Sequence, residues 1–277
     1  MPKTWFITGA SSGLGLEMAL QLLTQGHNVV AAIRRAGALT KLAQEYRERL
    51  DIVQLDLVEP ESIASAVRDA FQRHERIEVI VSNAGYGLFG AAEELTTEEI
   101  DRQIATNLVG SIHLIRAALP LLRKQGGGRI VQVSSEGGQI AYPGFSLYHA
   151  TKWGIEGFVE AVAQEVAPFG IDFIIAEPGP TGTNFGANLV RAKPIDAYDE
   201  TPAGAVRRAI TDGSFEIKGD AARTVAAIIS AAESKTPPLR LALGSTAYSS
   251  ISQALSARLS ALEAQRGVTH SADRQDL

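Results

Sequence analysis

Cysteine is absent from all 277 residues. This excludes disulfide frameworks, thiolate metal sites and thiol catalysis together, and it fits a reducing compartment. Long apolar runs are absent too: none approaches the roughly 18 residues that span a bilayer. The opening MPKTWFITGA lacks the apolar stretch of a signal peptide and runs straight into a strand-like segment. A soluble cytoplasmic chain without a membrane span is expected. Positive charge is in deficit, with 26 basic against 31 acidic residues and a net charge of −5. The basic residues are scattered apart from Arg34-Arg35 and Arg207-Arg208, which argues against a nucleic-acid surface. The five histidines are dispersed, and no metal-ligand cluster is expected. Internal repeats and low-complexity linkers are also missing.

What is present suits a globular protein with a large core: 45% hydrophobic and 21% charged residues. Short runs rich in Val and Ile recur along the chain. They are TWFIT (4–8), NVVAAI (28–33), DIVQL (51–55), IEVIV (77–81), RIVQVS (129–134), IDFIIA (171–176) and LRLAL (239–243). Most do not alternate polar with apolar, as strands buried on both faces do not, so a parallel sheet is implied. Helical patterns lie between them, for example Leu16 to Gln25 and Thr97 to Lys124. Repeated βα units of this kind predict an α/β fold, a doubly wound sheet with helices on both faces, in a single domain over 1–265. The irregular stretch 182–219 follows a strand end and reads either as a substrate loop or lid, or as a plain insertion with surface helices. Ile251, Leu255, Leu259 and Leu262 recur at helical spacing and predict a packed terminal helix. Residues 266–277 are polar and read as a frayed tail.

TGASSGLG, residues 8 to 15, sits between the first strand and a helix. Gly9, Gly13 and Gly15 allow a tight bend and close approach of backbone to a pyrophosphate. Ser11 and Ser12 offer hydroxyl donors, and the helix opening at Leu14 offers free N–H groups and a partial positive charge. The spacing departs from G-x-G-x-x-G, and such a turn also occurs as a simple βα loop. The second strand ends in VVAAIRR, without the acidic residue that usually holds the ribose 2′-hydroxyl of NAD. Arg34 and Arg35 stand there instead. A guanidinium pairs bidentately with a 2′-phosphate, which favours NADP(H) over NAD(H); two solvated surface arginines is the plainer alternative. Asp56 and Leu57 follow the third strand, where an adenine amino group is within reach. Asn83, Ala84 and Gly85 end the fourth, where backbone can line the ribose. Pro178 and Gly179 can turn the chain over a nicotinamide, with Thr181 and Thr183 reaching its carboxamide or the pyrophosphate.

Taken in order, TGASSGLG, LDL, NAG (83–85), Asn107, SSEGG (134–138), YHATK (148–152) and EPGPTGT (177–183) resemble the short-chain dehydrogenase/reductase family, in its compact single-domain branch. The matching pieces cover about the first two thirds of the chain. The resemblance implies a Rossmann-type sheet of about seven strands, a nicotinamide cofactor, and a catalytic set of Asn107, Ser135, Tyr148 and Lys152. Ser135 rather than Ser134 has the family spacing to the tyrosine. In this set Asn107 supports a water linking Lys152 to solvent, and Lys152 and Tyr148 also contact the cofactor. The family often forms dimers or tetramers through two long helices, here roughly 97–124 and 148–168.

Tyr148 and Lys152 are four apart and share a helix face. An ammonium near a phenol favours the phenolate. Moving a pKa from ~10 to ~7 takes about 4 kcal/mol, and one charge at ~4 Å supplies about that at an effective dielectric of ~20. The expected chemistry is hydride exchange between NADP(H) and a carbonyl or secondary alcohol, with Tyr148 as general acid or base and Ser135 holding the substrate oxygen. Read singly, each residue is ordinary: a surface Tyr–Lys pair, a capping serine, a polar helix position. His149 and Trp153 read as packing or interface residues. Alternatives are the same chemistry with NAD(H), or a dinucleotide-binding redox sensor without chemistry, which would have no need of the Ser-Tyr-Lys set. A sugar-nucleotide epimerase or dehydratase would be longer and use a different glycine spacing. The substrate is a small molecule of unread identity. Phe185, Leu189, Val190 and Ile195 in the candidate lid suit moderate hydrophobicity.

Overall fold

A computed structural model describes residues 1–35, 37–186 and 188–274. Position 187, in the expected lid, and 275–277, in the expected tail, lie outside the described residues. The strands are β1 (Thr4–Thr8), β2 (Asn28–Ile33), β3 (Leu50–Gln54), β4 (Val79–Ser82), β5 (Leu88–Phe89), β6 (Gly128–Val133), β7 (Ile171–Pro178), β8 (Val190–Arg191) and β9 (Arg240–Leu243). The α-helices are α1 (Gly13–Thr24), α2 (Thr40–Glu45), α3 (Pro60–Arg73), α4 (Thr97–Ile104), α5 (Gly110–Lys124), α6 (Ser146–Val166), α7 (Pro202–Asp212), α8 (Ala221–Glu233), α9 (Ser245–Ala264) and α10 (Arg266–Ser271).

Seven strands form one parallel sheet in the order β3-β2-β1-β4-β6-β7-β9. Successive side chains of a strand point to opposite faces, and in the five inner strands both faces are largely dry, while the edge strands β3 and β9 are partly exposed. Phe6, Val30, Ile80, Ile130 and Ile175 pack on one face with Ile63 of α3, Leu114 and Ile115 of α5, and Val159 of α6. Trp5, Ile7, Val29, Val81, Val131 and Ile174 pack on the other with Met18 and Leu22 of α1 and Val225 and Ile228 of α8. That is why the strand segments read as unbroken apolar runs. Each fully buried Val, Leu or Ile is worth about 1.5–3 kcal/mol over its exposed state, which fixes the register of every strand. Strand order reverses at β1, which lies between β2 and β4. The crevice beyond the carboxyl ends of β1 and β4 is the topological switch point, where such sheets take ligands.

Four expectations are corrected. The segment 182–219 is not irregular throughout: it contains β8, a 3₁₀ turn at Asp196–Tyr198 and α7. Its β8 pairs in parallel with β5 as a separate two-stranded sheet, Leu88 opposite Val190 and Phe89 opposite Arg191. The tail is not wholly frayed, because α10 continues the helical chain to Ser271. In α9 only part of the predicted apolar stripe packs. Ile251 is buried, in a cluster with Ile140 and Ala247, whereas Leu255, Leu259 and Leu262 are 49%, 60% and 58% exposed. The helical pattern 97–124 is interrupted by a π-helical turn at Ala105–Val109, between α4 and α5. The stretch Thr97–Lys124 is nevertheless long and apolar enough to cross a membrane by length and composition, with a mean hydropathy of 1.3. Its Leu114, Ile115, Ala118 and Leu122 are completely buried in the core against the sheet.

Candidate active site

The turn after β1 is shaped by backbone that cannot tolerate side chains. Gly9 has φ +68°, and a Cβ there would lie 2.9 Å from the Cα of Ala84. A Cβ on Gly15 would lie 2.5 Å from the carbonyl oxygen of Gly9 and 2.6 Å from Asn83 Nδ2. Thr8 ties this turn to the end of β4. Its Oγ1 accepts from the amides of Asn83 at 2.9 Å and Ala84 at 3.0 Å and donates to the Val81 carbonyl. Asn83 Nδ2 donates to the Thr8 carbonyl at 2.9 Å. The amides of Asn83 and Ala84 are thus committed to bracing the turn. Ser11 and Ser12 are exposed, and Ser12 heads α1 without making a side-chain cap, so its hydroxyl and the first amides of α1 face outward. Thr183 comes within van der Waals range of Gly13, and its Oγ1 accepts from the Phe185 amide at 3.2 Å. Leu14 packs against the α1/α8 core. We expect Gly15→Ala to cost about 1–3 kcal/mol, because the intruding methyl meets main chain. A urea midpoint unchanged from wild type would contradict this.

The remaining expected cofactor residues are spread around the crevice. Arg34 and Arg35 are exposed just after β2. Arg34 lines a groove of about 750 Å³ at the β3 edge with Gln54, Asp56 and Ser62. That groove contains none of the expected catalytic residues. Asp56 is half-buried and accepts from the Val58 amide at 3.2 Å. Leu57 is buried, and its carbonyl lies so close to Gly110 that a Cβ there would stand 2.6 Å away, so its role is packing. Gly85 lies against Asn107 Oδ1. Pro178 ends β7, and the Gly179 amide donates to the Leu243 carbonyl at 3.0 Å. Thr181 Oγ1 is turned back to the Gly179 carbonyl at 2.8 Å.

Beyond the carboxyl end of β6, Ser135, Tyr148 and Lys152 converge. The two serines separate cleanly. Ser134 is buried with its Oγ donating to Glu156 Oε1, whereas Ser135 accepts from the Gly137 amide at 3.1 Å and acts on the Tyr148 phenol. Lys152 is buried, donates to the Val133 carbonyl at 3.0 Å, and stands 5.6 Å from the centroid of the Tyr148 ring. Asn107 is buried in the π turn. It accepts from the Tyr86 amide at 3.1 Å and donates to the Tyr86 carbonyl at 2.8 Å. Its side chain therefore clamps the segment after β4.

The electrostatics correct the sequence reading. Tyr148 is not depressed towards neutrality in the chain alone. Burial pushes it up to about 12, the Ser135 hydroxyl opposes that rise, and the Glu136 and Glu156 carboxylates add to it. Burial brings Lys152 down to about 8, and Glu156 works against that fall. Desolvation of the phenolate and the two nearby acidic side chains both act against the expected lowering by lysine.

Residues 3–194 match the family described as short chain dehydrogenase. The chain belongs to this family. It is 35% identical over 245 residues to oxidoreductase BOA17 of Botryotinia fuckeliana, covering 88% of this chain and 89% of that protein. A short-chain dehydrogenase of Streptomyces avermitilis superposes with a TM-score of 0.92 at 36% identity, covering 99% of this chain and 100% of that one. More distant solved structures share the fold at 19% and 23% identity, the first in complex with NAD and the second with NADP bound.

Within this short-chain dehydrogenase, the sequence reading missed an ionic network behind the tyrosine and lysine, buried at Glu156 and Glu177 and partly exposed at Arg240 and Glu160. Arg240 Nη1 donates to Glu156 Oε2 at 2.6 Å and to Glu177 Oε1, and its Nε donates to Glu160 Oε1 at 2.8 Å. Gln139 donates to Glu177 Oε2 at 2.8 Å, and Tyr142 OH donates to Glu136 Oε1. The signal was present: Glu156 and Glu160 continue the four-residue spacing of Tyr148 and Lys152, and Arg240 is a charge within an apolar strand. His149 is a packing residue, as expected. Its Nε2 accepts from the Tyr142 amide at 2.7 Å, so its Nδ1 carries the proton to the Gly137 carbonyl at 2.8 Å. Burial lowers its pKa further. Trp153 is 44% exposed, with Arg258 5.0 Å above its ring.

Proposed function

We propose that the protein is an NADP(H)-dependent oxidoreductase that interconverts carbonyl compounds and secondary alcohols. The observation that carries this reading is the convergence of Ser135, Tyr148 and Lys152 at the mouth of the switch-point crevice. The glycine turn fits a dinucleotide, because Gly9 and Gly15 let the turn close tightly on Ala84 and Asn83 and the exposed Ser12 at the head of α1 makes no side-chain cap to the first amides. Ser11, Ser12, Gly13 and Thr183 would hold the pyrophosphate, and Arg34 or Arg35 a 2′-phosphate. When bound, the dinucleotide supplies or accepts the hydride. Tyr148 passes the proton to or from the substrate oxygen, Ser135 holds that oxygen, and Lys152 keeps a positive charge beside the phenol. Ring contacts support an apolar substrate. Phe89 and Phe145 lie 5.1 Å apart, Phe145 and Tyr148 6.3 Å, and Tyr148 and Phe185 5.9 Å between centroids, all edge to face. The β5–β8 pairing pins this aromatic wall in place, with the Val190 amide donating to the Gly87 carbonyl at 3.0 Å.

The test is a panel of apolar ketones and secondary alcohols assayed with NADPH/NADP⁺ and NADH/NAD⁺, in wild type and Arg34→Glu. Turnover is expected with both pairs and higher kcat/KM with the phosphorylated one. Arg34→Glu should weaken NADP(H) binding roughly 10- to 100-fold, the worth of one charge-assisted hydrogen bond, with NAD(H) binding little changed. Equal weakening of both cofactors would remove the 2′-phosphate assignment. No turnover with any pair would remove the enzymatic one.

A further inference from the structure

Two buried carboxylates flank the tyrosine–lysine pair, and the reaction as written above uses neither. Glu156 lies one helical turn beyond Lys152 on α6, on the face that carries Tyr148, Lys152 and Glu160. It is 2% exposed and held from both sides, by Ser134 Oγ on Oε1 and by Arg240 on Oε2 at 2.6 Å. Gly138 makes room for it, since a Cβ at that position would overlap the carboxylate. Glu136 follows Ser135 directly and is also 2% exposed. Its Oε1 takes the Tyr142 hydroxyl, while its Oε2 is buried with no hydrogen-bond partner among the described residues.

The charged and titratable surroundings are as follows. From α6 come Tyr148, Lys152 and the neutral His149, and from β7 comes Glu177. From β9 comes Arg240, and from the turn after β6 come Glu136 and Tyr142. Ser250 of α9 touches Glu136, and Asn107 is occupied with Tyr86. Among the described residues, the cations placed against this group of buried carboxylates are Arg240, bonded to Glu156 and Glu177, and Lys152, one helical turn from Glu156.

We propose that Glu136 and Glu156 are electrostatic positioning residues that hold the Tyr148–Lys152 pair in its fully protonated form, phenol beside ammonium, and so set the site for carbonyl reduction near neutral pH. The inference rests on the oxidoreductase reading. A nearby anion disfavours a phenolate and favours an ammonium, so both carboxylates push the pair the same way. Both act to raise Tyr148, and Glu156 acts to raise Lys152. In reduction a bound reduced nicotinamide would supply the hydride to the carbonyl carbon, and Tyr148 the proton. The phenol O–H bond breaks, its proton goes to the substrate oxygen, and the phenolate left beside the ammonium is reprotonated from solvent. Alcohol oxidation needs the opposite starting state, a phenolate, which the two carboxylates make scarce.

The test uses the full chain with NADP⁺ bound, in wild type, Glu136→Gln and Glu156→Gln. At 136 the amide keeps an acceptor oxygen for Tyr142; at 156 its oxygen can accept from Arg240 while its NH2 donates to Ser134 Oγ; both substitutions remove the charge. Tyrosinate absorbance is titrated against pH, with Tyr148→Phe as the blank, and the pH profiles of reduction and oxidation are recorded beside it. The Tyr148 titration and the rise of oxidation with pH should both move down by about half a pH unit or more in Glu136→Gln, the direction expected when a like charge is removed. Glu156→Gln should move Tyr148 the same way and should also lower the pH at which the lysine loses its proton. A Tyr148 titration unmoved in both folded variants would overturn the proposal. A moved titration with no turnover on any carbonyl would leave the electrostatic setting standing and overturn its assignment to reduction.

Discussion

Tyr148→Phe is expected to lower kcat by about 10³-fold or more, within or beyond the range for loss of a positioned general acid, while the dissociation constant for NADP(H) changes by less than about threefold. The substitution deletes one oxygen and leaves the ring. That ring is half-buried against Phe145 and Phe185, so the apolar wall survives. The fold should not suffer either, because burial works against an ionised phenol at this position and drives it up to about 12. Ser11, Ser12, Gly13 and Thr183, proposed above to hold the pyrophosphate, are unchanged by the substitution, which is why cofactor affinity should persist. Steady-state turnover and cofactor titration by fluorescence, on the same preparation, separate the two quantities. Turnover within tenfold of wild type would remove Tyr148 from the reaction. Joint loss of turnover and cofactor binding would assign the tyrosine to the cofactor instead.

The seven-stranded sheet was legible because its physics is local in sequence. A strand dry on both faces must be apolar at nearly every position, and all seven runs became strands with boundaries shifted by at most two residues. The convergence of residues 135, 148 and 152 was legible too, because it depends on one helix and one strand end. Other features were not. The β5–β8 pair joins two-residue strands about a hundred positions apart, far below any periodicity signal. Leu255, Leu259 and Leu262 showed a helical stripe, but a stripe cannot say what covers it. The ionisation of Tyr148 was misjudged for a deeper reason. The sign of an electrostatic effect in a buried site depends on every charge nearby and on desolvation. Glu136 and Glu156 come to that site through strand ends and turns as much as through spacing. Asn107 was placed correctly in a helical stretch, yet its side-chain partners, the main-chain atoms of Tyr86, follow from a π turn that no residue pattern announces.

Arg240→Met should destabilise the fold by about 3–5 kcal/mol at neutral pH, the cost of removing one partner from a buried ion pair. The methionine fills much of the volume but leaves Glu156 and Glu177 without their cation, and both carboxylates are at most 2% exposed. The loss should depend on pH in a definite direction. Burial already raises Glu177 above the ordinary carboxylate range, Glu156 adds to the rise, and Arg240 opposes it. A group raised in the folded state holds its proton longer there than in the unfolded chain. Its contribution to stability is therefore complete below the unfolded value of ~4.3 and is lost as pH rises through the folded one. Without the guanidinium the folded value climbs further, so the loss extends into the neutral range. Urea midpoints at pH 5 and pH 7.5 should show the variant approaching wild type at the lower pH and falling well below it at the higher. An equal deficit at both would mean that Arg240 contributes packing alone. A variant as stable as wild type at both would mean that Arg240 contributes nothing to holding the fold at this network.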